Sequence, residues 1–224
     1  MTKQVIHPTD QLRQKLSRHQ IWLEMSNQHP ELSAGAQLVL MDSFLSDITM
    51  SDENFSCAEI VRCRISNSHF KDCDFSYSLL IDSVFTACTF INCCFVKADL
   101  SGTDASGADF SESDFTRADL TDAIMKGANL TDCLFNWAWL VKTDLRGTIL
   151  ERVQFQGARM VGAKLYNQRK FAFGSLDRAV IKEIDLSPDG NGTKIGGVES
   201  IELLRRKEST LPSSSRRAGW TSDN

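Results

Sequence analysis

"KADLSGTDASGADFSESDFTRADL", Lys97–Leu120, places its large apolar residues at Leu100, Phe110, Phe115 and Leu120, with the small Ala105 in the remaining slot. The step is five residues. An amphipathic helix repeats at about 3.6 and a half-buried strand at two, so neither describes this stretch. Reading outwards, every fifth residue from Leu40 to Leu165 obeys the same rule: 26 consecutive positions hold 25 large apolar residues and one alanine. A second register, two residues earlier, is mostly small and runs from Ala58, Cys63, Ser68, Cys73 and Ser78 to Ala158 and Ala163.

One large and one small inward position in five residues describe one short side of a square coil. Four sides return the chain above its start after twenty residues, and the coils then stack as strands do, about 4.8 Å apart. Folding the sequence on a period of twenty supports this. One column reads Phe55, Phe75, Phe95, Phe115, Phe135 and Phe155, while Leu40, Ile60, Leu80, Leu100, Leu120, Leu140 and Met160 form an aliphatic one. Twenty-six sides at four per coil give about 6.5 coils, a core about 31 Å long at strand spacing. No coil buries its apolar residues alone; stacking creates the core.

The segments "ADLSG", "ADFSE", "ADLTD" and "ANLTD" closely match the A(D/N)LXX motif, and residues 38–165 resemble the pentapeptide-repeat protein family. The resemblance implies an all-β solenoid, a right-handed quadrilateral β-helix. It implies much less about function. The expected organisation is an N-terminal helical cap (1–37), the β-helix (38–166), a C-terminal loop, partial coil and short helix (167–210), and a disordered tail (211–224).

An unbroken register over most of 224 residues argues for one main body. Proline is absent between Pro30 and Pro188, as expected where coils need their backbone donors. No apolar run has the length of a membrane helix and the start lacks a signal-peptide core, so a soluble, cytoplasmic protein is expected. Seven cysteines fit a reducing compartment better than a disulfide scaffold. Five of them, Cys63, Cys73, Cys88, Cys93 and Cys133, fall in the small inward column and are expected to pack as small hydrophobes. Cys57 and Cys94 should face outward and be the more reactive thiols.

The open ends of a β-helix need covering. "TDQLRQKLSRHQIWLEMSN" reads as a helix from about Asp10 to Ser26, with Leu12, Leu16, His19 and Leu23 along one face, and its phrase "LSRHQIWLE" resembles a segment preceding many pentapeptide-repeat tracts. His19 and Trp22 are expected to pack the cap. After Leu165 one residue is inserted before Phe171, Leu176, Ile181 and Leu186 resume the step; a seventh coil and a separate cap both fit. "VESIELLRRKES" reads as a short helix able to cap the rod, form a dimer or meet a partner.

No catalytic triad, phosphate loop, metal set or carboxylate pair stands out, so neither an enzyme nor a cofactor is expected. A non-catalytic interaction scaffold for an unknown protein partner is the leading expectation. The alternative comes from the resemblance: acidic pentapeptide rods of quinolone-resistance type resemble duplex DNA and bind DNA gyrase. The charge is suited to it only locally. Residues 38–166 carry a net −7, one charge per ~4–5 Å against one per ~1.7 Å in duplex DNA. One outward column nevertheless runs Asp52, Asp72, Asn92, Glu112, Asp132 and Arg152. Other candidate surfaces are Trp137 and Trp139, expected to stack with Arg117 and Arg159 or to meet a partner, and the inserted loop with Arg169 and Lys170. The side through the Leu40 column exposes Val39, Met41, Val61, Leu79, Ile81, Val141 and Val161, which would suit the cap helix, a homodimer mate or a partner. Direct nucleic-acid or membrane binding is not expected.

Overall fold

The computed structural model describes residues 8–28, 37–166, 170–187, 192 and 194–196. From residue 38 the chain winds as a β-solenoid of about seven turns, preceded by a single helix. Each residue pairs in parallel with the one twenty positions on: Leu40 with Ile60, Leu45 with Ile65, Met50 with Phe70. Bridges carry the same register from Asn54–Asp74 through Asp99–Asp119 to Asp144–Lys164. We number the four sides by their inward centres in the first coil: face 1 (Leu40), face 2 (Leu45), face 3 (Met50) and face 4 (Phe55).

The centres are buried from the first coil to Leu165, Leu45 alone being half-buried. The period-twenty segregation becomes ring stacking. On face 4, Phe95 and Phe115 lie 4.8 Å apart at 4° and Phe115 and Phe135 4.8 Å apart at 2°. On face 3, Phe70, Phe90 and Phe110 stack at 5.0 Å per step. The two ladders meet edge to face, as in Phe75–Phe90 at 5.8 Å, so both arrangements that aromatic quadrupoles favour occur together.

The corners explain the remaining motif positions. The residue two past each centre has positive φ, and nine of these corners are Asp or Asn (φ +49° to +59°): Asp42, Asp47, Asp52, Asn67, Asp72, Asp82, Asn92, Asp122 and Asp132. Short polar side chains and glycine tolerate this left-handed geometry best. Where the residue one before a centre is Asp or Asn it makes an Asx turn: Asp74, Asp99, Asp114 and Asp119 accept the N–H of Ser76, Ser101, Thr116 and Thr121 at 2.8–2.9 Å. Much of the acidity in this sequence is therefore corner chemistry.

The small inward column has a polar task as well. Ser83 accepts the N–H of Cys63 (3.1 Å) and donates to the carbonyl of Ile60 (2.8 Å). Ser113 does the same between Cys93 and Phe90 (3.0 and 2.7 Å). Thr103, Thr143 and Cys133 donate to the carbonyls of Leu80, Leu120 and Phe110. Buried corner groups are thus satisfied between coils. The five inward cysteines are buried and all seven are free thiols. Cys57 and Cys94 are half-buried, not open to solvent; burial and the nearby Asp74 push the Cys57 thiol up, which lowers its reactivity.

Helix α1 (Pro8–Gln28) begins with proline at its first position, where the missing N–H costs nothing. Leu12, Leu16 and His19 are buried and Leu23 is half-buried, and the two buried leucines join the same core as Leu38, Leu40 and Phe55. His19 joins helix to coil: its Nδ1 accepts the N–H of Leu38 (3.0 Å) and its Nε2 donates to the carbonyl of Ser56 (2.8 Å), while Trp22 stacks on it at 5.3 Å.

At the other end the inserted residue changes the register and not the architecture. Residues 170–182 pair with the previous coil at a separation of 21, as in Lys170–Ile149, Met160–Ile181 and Arg159–Val180, with register shifts between Ala172 and Ser175. Ile184–Asp185 then pairs antiparallel with Lys194–Ile195, which folds back along the last coil. The expected C-terminal helix and tail lie outside the described residues, as does Arg169; Lys170 opens a strand, and its side chain is outside the description.

Candidate interaction surface

The column Asp52, Asp72, Asn92, Glu112, Asp132 and Arg152 runs up the corner between faces 3 and 4, every member with positive φ. Its charge is partly internal. Arg152 chelates Asp132, its Nε donating at 2.6 Å, and also reaches Glu151 at 2.9 Å. Asn92 donates to Asp72 at 2.7 Å, with Lys71 3.7 Å from the same carboxylate. No ion pair holds Asp52 or Glu112 among the described residues. Asp42 is chelated by Arg62 (both bonds 2.8 Å), which holds its carboxyl below the usual carboxylate range. The acids are also unevenly distributed along the rod. Residues 38–121 hold 14 acidic and 5 basic residues, a net −9, whereas residues 122–166 hold 4 and 6, a net +2.

The apolar side is face 1 and its leading corner with face 4. Among the described residues nine large apolar side chains are exposed, and six of them lie here: Val39, Met41, Tyr77, Leu79, Trp137 and Trp139, each 37–53 % exposed. Val61, Ile81, Val141 and Val161 add half-buried surface on the same face. Trp139 lies under the guanidinium of Arg159 (5.7 Å), the expected cation–π pair. Trp137 turns the other way from the expected Arg117: it lies over Gly157 in the following coil, where an added Cβ would come within 2.5 Å of the ring. Glycine there makes the bed for the indole. At the same corner Lys97 covers Tyr77, its Nζ 4.8 Å from the ring centre and 3.0 Å from the hydroxyl.

Sequence reasoning missed a groove of about 460 Å³ near the C-terminal end, between faces 1 and 2. Lys142, Lys164 and Lys194 share it with Asp122, Glu183 and Asp185. Lys194 lies 3.7 Å from Glu183, and the buried Asp185 accepts from Ser187 and Gly192. The antiparallel return of 194–195 builds its wall, and no repeat pattern signals that fold-back. Among the described residues no group of His, Cys, Asp and Glu is arranged to hold a metal ion, and no helix is long and apolar enough to cross a membrane.

The repeat itself identifies the family. The model of pentapeptide repeats matches eight copies across residues 63–104, 93–132 and 128–166, within the coil whose pentads and corners the structure displays. This is a pentapeptide-repeat protein. Solved structures similar to the rod include a trypsin-treated variant of QnrB1, a plasmid-mediated fluoroquinolone resistance protein, at 19 % identity and TM-score 0.37, covering 79 % of this chain and 97 % of that one. HetL, involved in heterocyst differentiation regulation in the cyanobacterium Nostoc sp. strain PCC 7120, is similar at 16 % identity and TM-score 0.29, covering 75 % and 96 %. A pentapeptide repeat protein of the Arabidopsis thaliana thylakoid lumen has 22 % identity and TM-score 0.27, covering 62 % and 68 %. No curated protein sequence matches the chain. The likenesses in structure share the repeat and carry no argument about a partner.

Proposed function

We propose that this pentapeptide-repeat rod is a non-catalytic, cytoplasmic scaffold that binds another protein. The observation that carries the reading is the gathering of six of the nine exposed large apolar side chains on face 1 and its leading corner. Isolated apolar residues on a surface are ordinary; aromatic and aliphatic groups gathered on one face, here at the two ends of a short acidic stretch, mark an interaction site. Exposed Trp beside Arg has the composition of interface anchors. The test is affinity capture on the purified full chain with quantitative mass spectrometry. A defined set of proteins retained by the wild type and lost from a surface variant is the expected result; no specific retention by any chain overturns the scaffold reading.

A second reading, binding and modulation of DNA gyrase through DNA mimicry, is favoured by the charge of the first coils. The net −9 of residues 38–121 is spread over about 20 Å of rod, one charge per ~2.2 Å, close to the ~1.7 Å of duplex DNA. Gyrase supercoiling with and without a fluoroquinolone tests it. Inhibition or drug protection should vanish in Asp52→Asn/Asp72→Asn/Glu112→Gln/Asp132→Asn. No effect of the wild type at micromolar protein removes this reading.

A further inference from the structure

On face 1 the outward residues one before each centre form a continuous bridged ladder: Glu59, Leu79, Asp99, Asp119, Trp139 and Arg159. Its middle is chemically ordered. An apolar group stands at each end, Leu79 with Tyr77 beside it and Trp139 with Trp137 beside it, and two half-buried carboxylates stand between them. Asp99 and Asp119 each give one oxygen to the turn, accepting the N–H of Ser101 and Thr121 at 2.9 Å. Neither has an ion-pair partner among the described residues. The bases nearest in sequence lie on the corner: Lys97 is committed to Tyr77, and Arg117 is exposed.

The spacing selects what can lie along this ladder. Four consecutive rungs stand at about 0, 4.8, 9.6 and 14.4 Å. Residues i, i+3, i+7 and i+10 of an α-helix share one face and rise about 0, 4.5, 10.5 and 15.0 Å, within about 1 Å of every rung. Same-side residues of an extended strand are ~6.6 Å apart and lose register by the second rung. Phosphates would meet Asp99 and Asp119 with like charge.

Resting on the scaffold reading, we propose that face 1 docks an amphipathic helix of a partner protein, with apolar residues at i and i+10 and Lys or Arg at i+3 and i+7. The apolar residues cover Leu79 with Tyr77 and Trp139 with Trp137, and the cations pair with Asp99 and Asp119. The end contacts supply buried area, and the carboxylates fix register and exclude acidic helices.

The test uses the full chain and a fluorescein-labelled helical peptide with Leu, Lys, Lys and Leu at that spacing on an Ala/Gln background. A second peptide carries Glu in place of both Lys. Fluorescence anisotropy should show the Lys peptide binding at least about tenfold tighter than the Glu peptide, with affinity falling as salt rises. Trp139→Ala and Asp99→Asn/Asp119→Asn should each weaken it by about tenfold or more. Gln154→Ala on face 4 should leave it unchanged. Asparagine still accepts the turn N–H, so the double variant keeps its corners; unchanged melting temperatures confirm that. Equal affinity for the two peptides, or equal binding by wild type and variants, overturns the proposal. So does sedimentation showing a wild-type dimer that Trp139→Ala dissociates, since a second copy then occupies the face. A captured partner retained by Trp139→Ala also overturns this placement while leaving the scaffold reading standing.

Discussion

His19 holds the N-terminal cap in a way that only one form of its ring allows. Leu38 presents an N–H and Ser56 a carbonyl, at 3.0 and 2.8 Å. Nδ1 must therefore be unprotonated and Nε2 must carry the hydrogen. A second proton on Nδ1 would face the Leu38 N–H, donor against donor, in a fully buried position. Burial pulls the His19 pKa below its ordinary value, and the bond to Ser56 opposes this only in part. Charged and titratable groups on the packed elements are Asp10, Arg13, Lys15, Arg18 and Glu24 on α1, and Asp42, Asp47, Asp52, Glu53, Cys57 and Glu59 on the first coil. Arg13 is tied to Glu53 at 3.6 Å, and Glu59 accepts from Gln37 at 3.4 Å.

The sign follows from where the proton binds more readily. With the folded pKa depressed, the detached helix takes up the proton first, so the cap is fully stabilised above about pH 6.5 and loses stability as pH falls below it. The loss is limited to about 1.4 kcal/mol per pH unit for one group. Replacing the ring costs more. His19→Ala strands a buried N–H and a carbonyl, about 1–3 kcal/mol each, and leaves a cavity besides, so about 3–5 kcal/mol of cap stability should be lost. Hydrogen exchange at Leu38 and along α1, measured from pH 7.5 to 5.5 after correction for intrinsic rates, reads cap opening directly. Opening should increase on acidification in the wild type and be nearly flat with pH in His19→Gln, which cannot titrate. Parallel pH profiles in the two proteins, or a cap that tightens as pH falls, would refute the reasoning.

Gly157 combines a φ of +67° with the indole of Trp137 on its Cα; Gly157→Ala should cost about 1–2 kcal/mol and shift tryptophan emission, whereas Gly107→Ala, at similar φ but with open space, should leave the emission unchanged and cost about 1 kcal/mol. Equal spectral effects would remove the close contact as the cause. Ala105 is buried in the face 2 column between Phe85 and Met125; if those neighbours fill its space, Ala105→Leu overpacks the core and lowers stability by about 1–3 kcal/mol, and a melting temperature raised by many degrees would reveal an unfilled void. Burial pushes the Cys88 thiol up to about 11 and raises Cys133 too. Cys63 is raised by burial as well, whereas the hydrogen bond with Cys93 lowers Cys73. Cys63, Cys88 and Cys133 should therefore resist a thiolate-specific reagent at pH 8 until the chain unfolds, and rapid labelling of any of these three in the native protein would contradict that packing.

Period five and period twenty are a direct image of the fold, because in a solenoid every long-range neighbour sits at one fixed sequence separation. Phe75 meets Phe95 for the same reason that Leu100 meets Leu120, so the columns were legible without coordinates, and Trp139 over Arg159 followed from the same arithmetic. The rest depended on rotamers and on places where the period fails. A period places Trp137 on a corner but does not say whether it leans toward Arg117 or Gly157; the absence of a Cβ at Gly157 decides. It places Asp132 in an acidic column, yet Arg152 neutralises it because two corner side chains reach each other across adjacent coils. Serines and cysteines of the small column look like filler in the sequence and prove to be hydrogen-bonded to the carbonyls of centres in the preceding coil. The ends have no repeat to read: His19 bonds 19 and 37 residues away, and the last coil closes at 21. Sequence alone determined the rod, since each coil obeys the same local geometry. Only the tertiary structure decided how the rod is closed and which of its outward side chains remain available, because those outcomes rest on contacts that occur once.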